Sequence, residues 1–356
     1  MVRTWFGVPV ALAVLVAPSL AFARKSDPPP TKPLTEEAVN GAGFSAPPSD
    51  DKTSEDKPAK DKRPDALTIR AQVLLDRAHV SPGAIDGLQG DNYHKAIAAY
   101  AAAKGLPATD RLTKEVWDAL QSGDQAAAVK TYTVSKEDAA GPFVERIPRK
   151  MEEQADLKAM DYTNGREMLA ERFHMSRDLL SALNPGKPFD KEGTTLLVAG
   201  VDPMGEDKPK GKDLPKDPKV ERITVDKTTR DVRAFGADGK QLFYYPASIG
   251  SDEKPAPSGE TTVKGVAFDP VYTYNPKYGF KGVKTKRAFS IKPGPNNPVG
   301  LVWIDLAIPS YGIHGTPEPE RVAKTESHGC IRLTNWSARE LAFHVARGAK
   351  VAFTGD

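Results

Sequence analysis

The sequence has one cysteine, Cys330, in the run SHGCIRL that spans residues 327–333. A thiol attacks a carbonyl only as its thiolate, and an unperturbed pKa of about 8.5 leaves a small fraction ionised at neutral pH. Such a residue needs a base or positive charge beside it. Two histidines qualify: His328 stands two places before Cys330, and His314 lies upstream in YGIHGT, at the end of an apolar run. The intervening loop can fold back and bring the His314 imidazole to the sulfur. Glycines at 312, 315 and 329 leave the backbone uncluttered, so consecutive N–H groups near Cys330 could face an oxyanion.

Other readings of the cysteine follow from where the chain resides. Arg3, an apolar run over residues 5–16 and small residues at Ala21 and Ala23 form a secretory signal over residues 1–23, with cleavage expected after Ala23. The run is short for a bilayer, and no later stretch reaches the roughly 20 apolar residues of a transmembrane helix. An exported protein with one cysteine has no internal disulfide. Cys330 is therefore an inert buried thiol, an intermolecular bridge or a nucleophile. Zinc ligation fits poorly, since the window lacks a second cysteine and ordinary ligand spacing. A papain-like protease would place its cysteine before its histidine, whereas here the histidines come first. A net charge of +3 is too balanced for a nucleic-acid surface or a dedicated membrane patch.

Elements that must position these residues emerge from composition and period. Residues 24–65 are rich in proline, lysine, aspartate and serine and read as a disordered linker. A second linker covers residues 202–219. Between them, Leu67, Ala71, Leu74 and Ala78, then Ala96, Ile97 and Tyr100, then Leu112, Val116 and Leu120 recur at helical spacing, which predicts a three-helix bundle over residues 66–121. In residues 131–201, Leu169, Phe173, Leu180 and Leu183 line two short helices, Asn184-Pro185-Gly186 ends the second, and GTTLLV is a strand. A partner strand is expected near KAMDYTN, residues 158–164. Residues 220–356 alternate instead: Ile223 and Val225 share a face with Val232 and Ala234 across an ADG turn. ETTVKGVAF, GLVWIDLAI and KVAFTG add strands. One helix, SARELAFHVARG, is expected with a Ser337–Glu340 capping box and a stop at Gly348.

Three resemblances accompany these blocks. IDGLQGDNYHKAIAAYAAAKGLPATDRLTKEVWDAL resembles the peptidoglycan-binding domain of wall enzymes, differing at Tyr100-Ala101, where a Phe-Gln pair is usual. LAERFHMSRDLLSALNPG with the strand after it resembles a LysM module, a strand-helix-helix-strand fold that recognises N-acetylglucosamine polymers. IHGTPEPERVAKTESHGCIRL resembles the signature of the L,D-transpeptidases, and the likeness extends over residues 220–356, including PAPSGETTV and KPGPNNPVGLVWIDLA. The expected fold is multidomain α+β, with a mostly antiparallel, β-sandwich-like catalytic domain behind the two modules.

The third resemblance implies a mechanism. Cys330 attacks the carbonyl of the L-centre residue before the terminal D-Ala of a tetrapeptide stem and releases D-Ala. His314 is the base, oriented through the backbone carbonyl of Gly315. The N–H groups of Gly329 and Cys330 form the oxyanion hole, His328 shapes the pocket, and Ser327 and Arg332 contact substrate, Arg332 through a stem carboxylate. An amine on a second stem or a wall-anchored protein then resolves the thioester, and no metal or organic cofactor is required. The partners implied are peptidoglycan stem peptides and glycan strands, in the periplasm, with the protein associated with the cell wall. Two alternatives remain: an L,D-carboxypeptidase or endopeptidase that hydrolyses the same linkage, and a non-catalytic wall-binding protein.

Overall fold

Apolar residues at helical spacing organise the N-terminal half of the computed structural model, which describes residue 1 and residues 33–45, 63–205, 217–251, 254–278, 285–326 and 329–355. Helix α1 (Glu36–Asn40) is capped by Thr35 and buries Val39. It lies within the stretch read from composition as a linker, where Leu34 and Val39 are enough to seat one turn on a neighbouring core. Helices α2 (Ala66–Arg77), α3 (Asp91–Ala103) and α4 (Lys114–Gly123) follow. Ala71, Leu74, Ala96, Ile97, Tyr100, Val116 and Leu120 are buried between them, as their spacing predicts. Asp65 and Thr113 cap α2 and α4 by accepting from backbone N–H groups.

The next block is a strand-helix-helix-strand unit with a long insertion. Strand β1 (Val129–Thr133) precedes the short helices α5 (Lys136–Ala140) and α6 (Met151–Gln154), then α7 (Gly165–Arg172), α8 (Arg177–Leu183) and β2 (Thr195–Ala199). β1 pairs antiparallel with β2, from Val129 opposite Ala199 to Thr133 opposite Thr195. The first strand is thus VKTYT and not residues 158–164. Those residues are held elsewhere: the Met160 N–H donates to Pro293 O at 2.9 Å, and Asn296 N–H donates to Met160 O at 2.8 Å. Leu169, Phe173, Leu180 and Leu183 are buried as expected. Asn184 locks the end of α8 to β2, donating to Leu180 O and Leu197 O and accepting from Leu197 N.

The C-terminal part contains β3 (Val220–Asp226), β4 (Asp231–Phe235), β5 (Gln241–Pro246), β6 (Ser248–Ile249), β7 (Gly259–Phe268), β8 (Tyr272–Tyr274), β9 (Phe289–Ile291), β10 (Val302–Leu306), β11 (Gly312–His314), β12 (Ile331–Arg332), α9 (Asn335–His344) and β13 (Val345–Thr354). Ile223, Val225, Val232 and Ala234 are all fully buried on one face, as their alternation predicts. The main sheet has the order β5-β4-β3-β13-β7-β10-β11-β12-β6, while β8 and β9 pair apart from it. Its pairs are antiparallel except β3 with β13 and β11 with β12.

This arrangement corrects the expectation of two facing sheets. The first part of β7 pairs with β13 and the rest with β10, so hydrogen bonding is continuous through one strand. The two edges of the sheet are β5 and β6, which Ala247 alone separates in sequence. A sheet whose edges are consecutive in the chain must curl until they approach, which makes a nearly closed barrel. The helix is also corrected: Thr334 caps α9 by accepting from Ser337 N, and the helix ends at His344. Glu340 does not close a capping box; it accepts from Tyr245 Oη at 2.8 Å and lies 2.7 Å from His79 Nδ1.

Residues 34–356 form a single compact unit. α2 faces two cores at once, with Ile69 and Val73 packed against the strand-helix-helix-strand unit and Leu74 and Leu75 inside the bundle. Tyr244 of β5 is fully buried in the bundle core, and its backbone exchanges hydrogen bonds with His79 O and Ser81 N. Among the described residues no helix is long and apolar enough to cross a membrane. The fold is α+β, a helical N-terminal region joined to a C-terminal curled sheet.

Candidate active site

Two short parallel strands bring the reactive residues together. In the β11–β12 register, Ile313 lies opposite Ile331 and His314 opposite Arg332. Side chains alternate along a strand and match across it. Ile313 and Ile331 are both fully buried in the barrel core. Gly312, His314, Cys330 and Arg332 therefore share the other face. The missing side chain at Gly312 leaves His314 and Cys330 as diagonal neighbours.

The imidazole of His314 is buried, 5% exposed, and stacks on Trp303 of β10 with ring centroids 5.6 Å apart and planes 20° apart. The register sets this contact, since Trp303 lies opposite His314. The indole also covers Gly312, where a Cβ would come within 2.6 Å of the ring. His314 Nδ1 lies 2.6 Å from Gly315 O. A carbonyl only accepts, so Nδ1 carries the proton and Nε2 presents its lone pair. Burial, and next the charge of Arg332, push the His314 pKa down to about 3, against the Gly315 hydrogen bond. The ring is neutral.

Cys330 is half-buried, with its sulfur 3.7 Å from Ser310 O. Burial raises its pKa above the ordinary thiol value, although the Gly312 backbone and the charges of Lys254 and Arg332 pull it down. The resting pair is thus a neutral thiol beside a neutral imidazole. Gly329 has φ of +99°, and a side chain there would meet Tyr311 at 3.1 Å and Lys254 at 3.2 Å. Both the backbone conformation and the walls call for glycine. Ser327 and His328 lie outside the described residues.

Arg332 is half-buried, and burial disfavours its charge while Glu318 favours it. Its Nε is buried without a hydrogen-bond partner among the described residues. Such a donor suits an anionic group delivered from outside. Three residues beside the site were not anticipated from sequence: Trp303, Lys254 and Tyr272. Tyr272 sits on the β8–β9 pair, and burial first, then Cys330 once it ionises, raises its pKa. Lys254 flanks and Trp303 falls within stretches quoted for the third resemblance, and Tyr272 lies between them, but their type and spacing carry no reactive pattern. Among the described residues no three His, Cys, Asp or Glu side chains cluster as metal ligands would.

With this geometry in view, comparison with known proteins is direct. Residues 220–352 match the family model of the YkuD L,D-transpeptidase catalytic domain. YqjB of Bacillus subtilis is 30% identical over 167 residues, 45% of this chain and 82% of that protein. YkuD of Bacillus licheniformis is 27% identical over 190 residues, 53% of this chain and 92% of that protein. ErfK/SrfK of Salmonella typhimurium is 28% identical over 202 residues, 52% of this chain and 58% of that protein. All three carry L,D-transpeptidase names. The chain belongs to the L,D-transpeptidase family, whose members are cysteine acyltransferases that act on peptidoglycan stems.

Proposed function

We propose that this protein cross-links peptidoglycan by L,D-transpeptidation. The observation that carries the reading is the Nδ1–Gly315 hydrogen bond, which leaves the lone pair of His314 on Nε2, in a residue that the β11–β12 register places on the strand face of Cys330. The Cys330 thiol gives its proton to His314 as sulfur attacks the carbonyl of the L-centre residue preceding the terminal D-Ala. The N–H groups of Gly329 and Cys330 take up the oxyanion. Collapse expels D-Ala, whose amine receives the proton from His314, and leaves a thioester on Cys330. A second amine attacks the thioester, forms the cross-link and restores the thiol. Arg332, whose Nε has no partner among the described residues, pairs with a stem carboxylate, and Ser327 and His328 keep the substrate-contacting and pocket-shaping roles that the resemblance implies. When water replaces the amine, the same acyl-enzyme gives an L,D-carboxypeptidase. The bundle and the strand-helix-helix-strand unit are read as peptidoglycan-binding and LysM-like modules of an exported, wall-associated enzyme.

The test is incubation with purified tetrapeptide muropeptides and mass analysis. The wild type should release D-Ala and form cross-linked dimers, Cys330→Ala should form neither, and His314→Gln should acylate about 100-fold more slowly. A hydrolysed tripeptide without dimers would favour the carboxypeptidase. D-Ala release by Cys330→Ala would exclude the mechanism.

A further inference from the structure

The carbonyl that holds His314 is itself positioned from outside the catalytic domain. Asn335, the first residue of α9, is fully buried, and its amide is wedged between Gly300 and Gly315, where any added Cβ would collide with Asn335 Oδ1. Asn335 Oδ1 accepts from Leu301 N at 3.0 Å. Its Nδ2 donates to Pro295 O at 3.2 Å and to Glu171 Oε1 at 2.6 Å. Glu171 belongs to α7, in the strand-helix-helix-strand unit, and is 4% exposed. Tyr162 Oη also donates to Glu171 Oε1, at 3.3 Å. From the same helix, Glu167 accepts from Asn296 Nδ2 at 3.1 Å, which pins the loop leading to Gly300.

We propose that Glu171 and Asn335 are positioning residues for the catalytic base, so that α7 of the N-terminal region completes the active site of the C-terminal barrel. The line of contact runs from the Glu171 carboxyl through the Asn335 amide to the Gly315 backbone, and from the Gly315 carbonyl to His314 Nδ1. It rests on the reading of His314 as base. Glu171 is held as the neutral acid: burial, and the nearby charges of Glu167 and Glu320, push its pKa up to about 8 against its bonds from Asn335 and Tyr162. Arg177 is the cation on this side, and it is committed to Glu320 through a paired contact at 2.8 and 2.9 Å. The acid therefore works through its carbonyl oxygen as an acceptor. Glutamine should replace it, and alanine should not.

Alkylation of Cys330 by iodoacetamide, followed by intact mass between pH 6 and 9, reads proton acceptance from the thiol without any wall substrate. With His314→Gln as reference, Glu171→Ala should slow alkylation at pH 7 by about 10- to 100-fold, the scale of a displaced catalytic group. Glu171→Gln should stay within about twofold of wild type. Asn335→Asp keeps the side-chain volume but loses the donor to Glu171, and it should be as slow as Glu171→Ala. It carries the test if Glu171→Ala fails to fold by circular dichroism. Wild-type alkylation in folded Glu171→Ala or Asn335→Asp, with slow alkylation in His314→Gln, overturns the relay alone. A Glu171→Gln rate as low as that of Glu171→Ala also overturns it. Wild-type alkylation in His314→Gln overturns the base reading and the relay with it.

Discussion

At the scale of the residue, the unusual feature is that neither member of the Cys330–His314 pair is charged at rest. Many reactive cysteines are stored as thiolates, whereas here burial keeps the proton on sulfur and off Nε2. Acylation should rise with pH toward the thiol's range and show no inflection between pH 6 and 7, because the ring has already lost its extra proton. Acylation by tetrapeptide muropeptides, followed by intact mass from pH 5 to 9, checks this; a limb near 6.5 would mean that His314 titrates as an exposed imidazole. Stability follows the same residue. The folded pKa of His314 lies below the unfolded value, so the folded state binds fewer protons and stability falls as pH drops from about 6.5 toward 3. His314→Gln should remove that loss, worth roughly a few kcal/mol, and shift acid unfolding to lower pH. Cys330 and His314 could be singled out in sequence because their types and spacing suit a thiol and its base, and Arg332 because the resemblance includes it. Trp303 and Glu171 were not, since an indole and a helix carboxylate become functional only through register and packing.

At the scale of the element, alternation was a reliable guide wherever one face of a strand is buried and the other is not. Val232 and Ala234 could be placed for that reason, while VKTYT in β1 could not, because only Val129 is fully buried in it. The start of α9 was misjudged because the Ser337–Glu340 spacing imitates a cap, although the Glu340 carboxylate instead serves Tyr245 and His79 on other elements. The strands of the site are only two or three residues long, so their alignment depends on what covers them. Gly312 is the test. Gly312→Ala would drive a methyl into the Trp303 ring and displace the indole from His314. The expected cost is about 1–3 kcal/mol in stability with a fall in acylation rate. Gly265→Ala, on β7, two strands away and with open space around it, should leave both unchanged. Thermal melts and acylation rates of the two variants make the comparison.

At the scale of the molecule, the three blocks inferred from composition do not behave as beads. Asn92 donates to Val322 O at 3.0 Å, Arg177 pairs with Glu320, and His174 stacks on Trp336 with centroids 5.1 Å apart. Such contacts cannot be read from any one segment, because each half looks complete in its own periodicity. A fragment of residues 220–356 would expose Tyr244 and Trp336, whose burial is worth about 1.5–3 kcal/mol each by area. It should melt well below the full chain and alkylate Cys330 slowly even where folded, while the full chain should unfold in one transition by calorimetry. A fragment as stable and as reactive as the whole would show the contacts to be incidental.

The seam between the halves also bears on descent. Residues 220–352 match the family model and the likeness to YkuD of Bacillus licheniformis covers 53% of the chain, whereas the stretch that folds together starts at residue 34. Inheritance and folding thus draw their borders in different places. A catalytic domain that leans on a helical half is not free to be exchanged without it. Substitutions at Arg177 and Glu320, or at Glu171 and Asn335, should therefore occur in pairs among relatives, and a comparison of their sequences checks it.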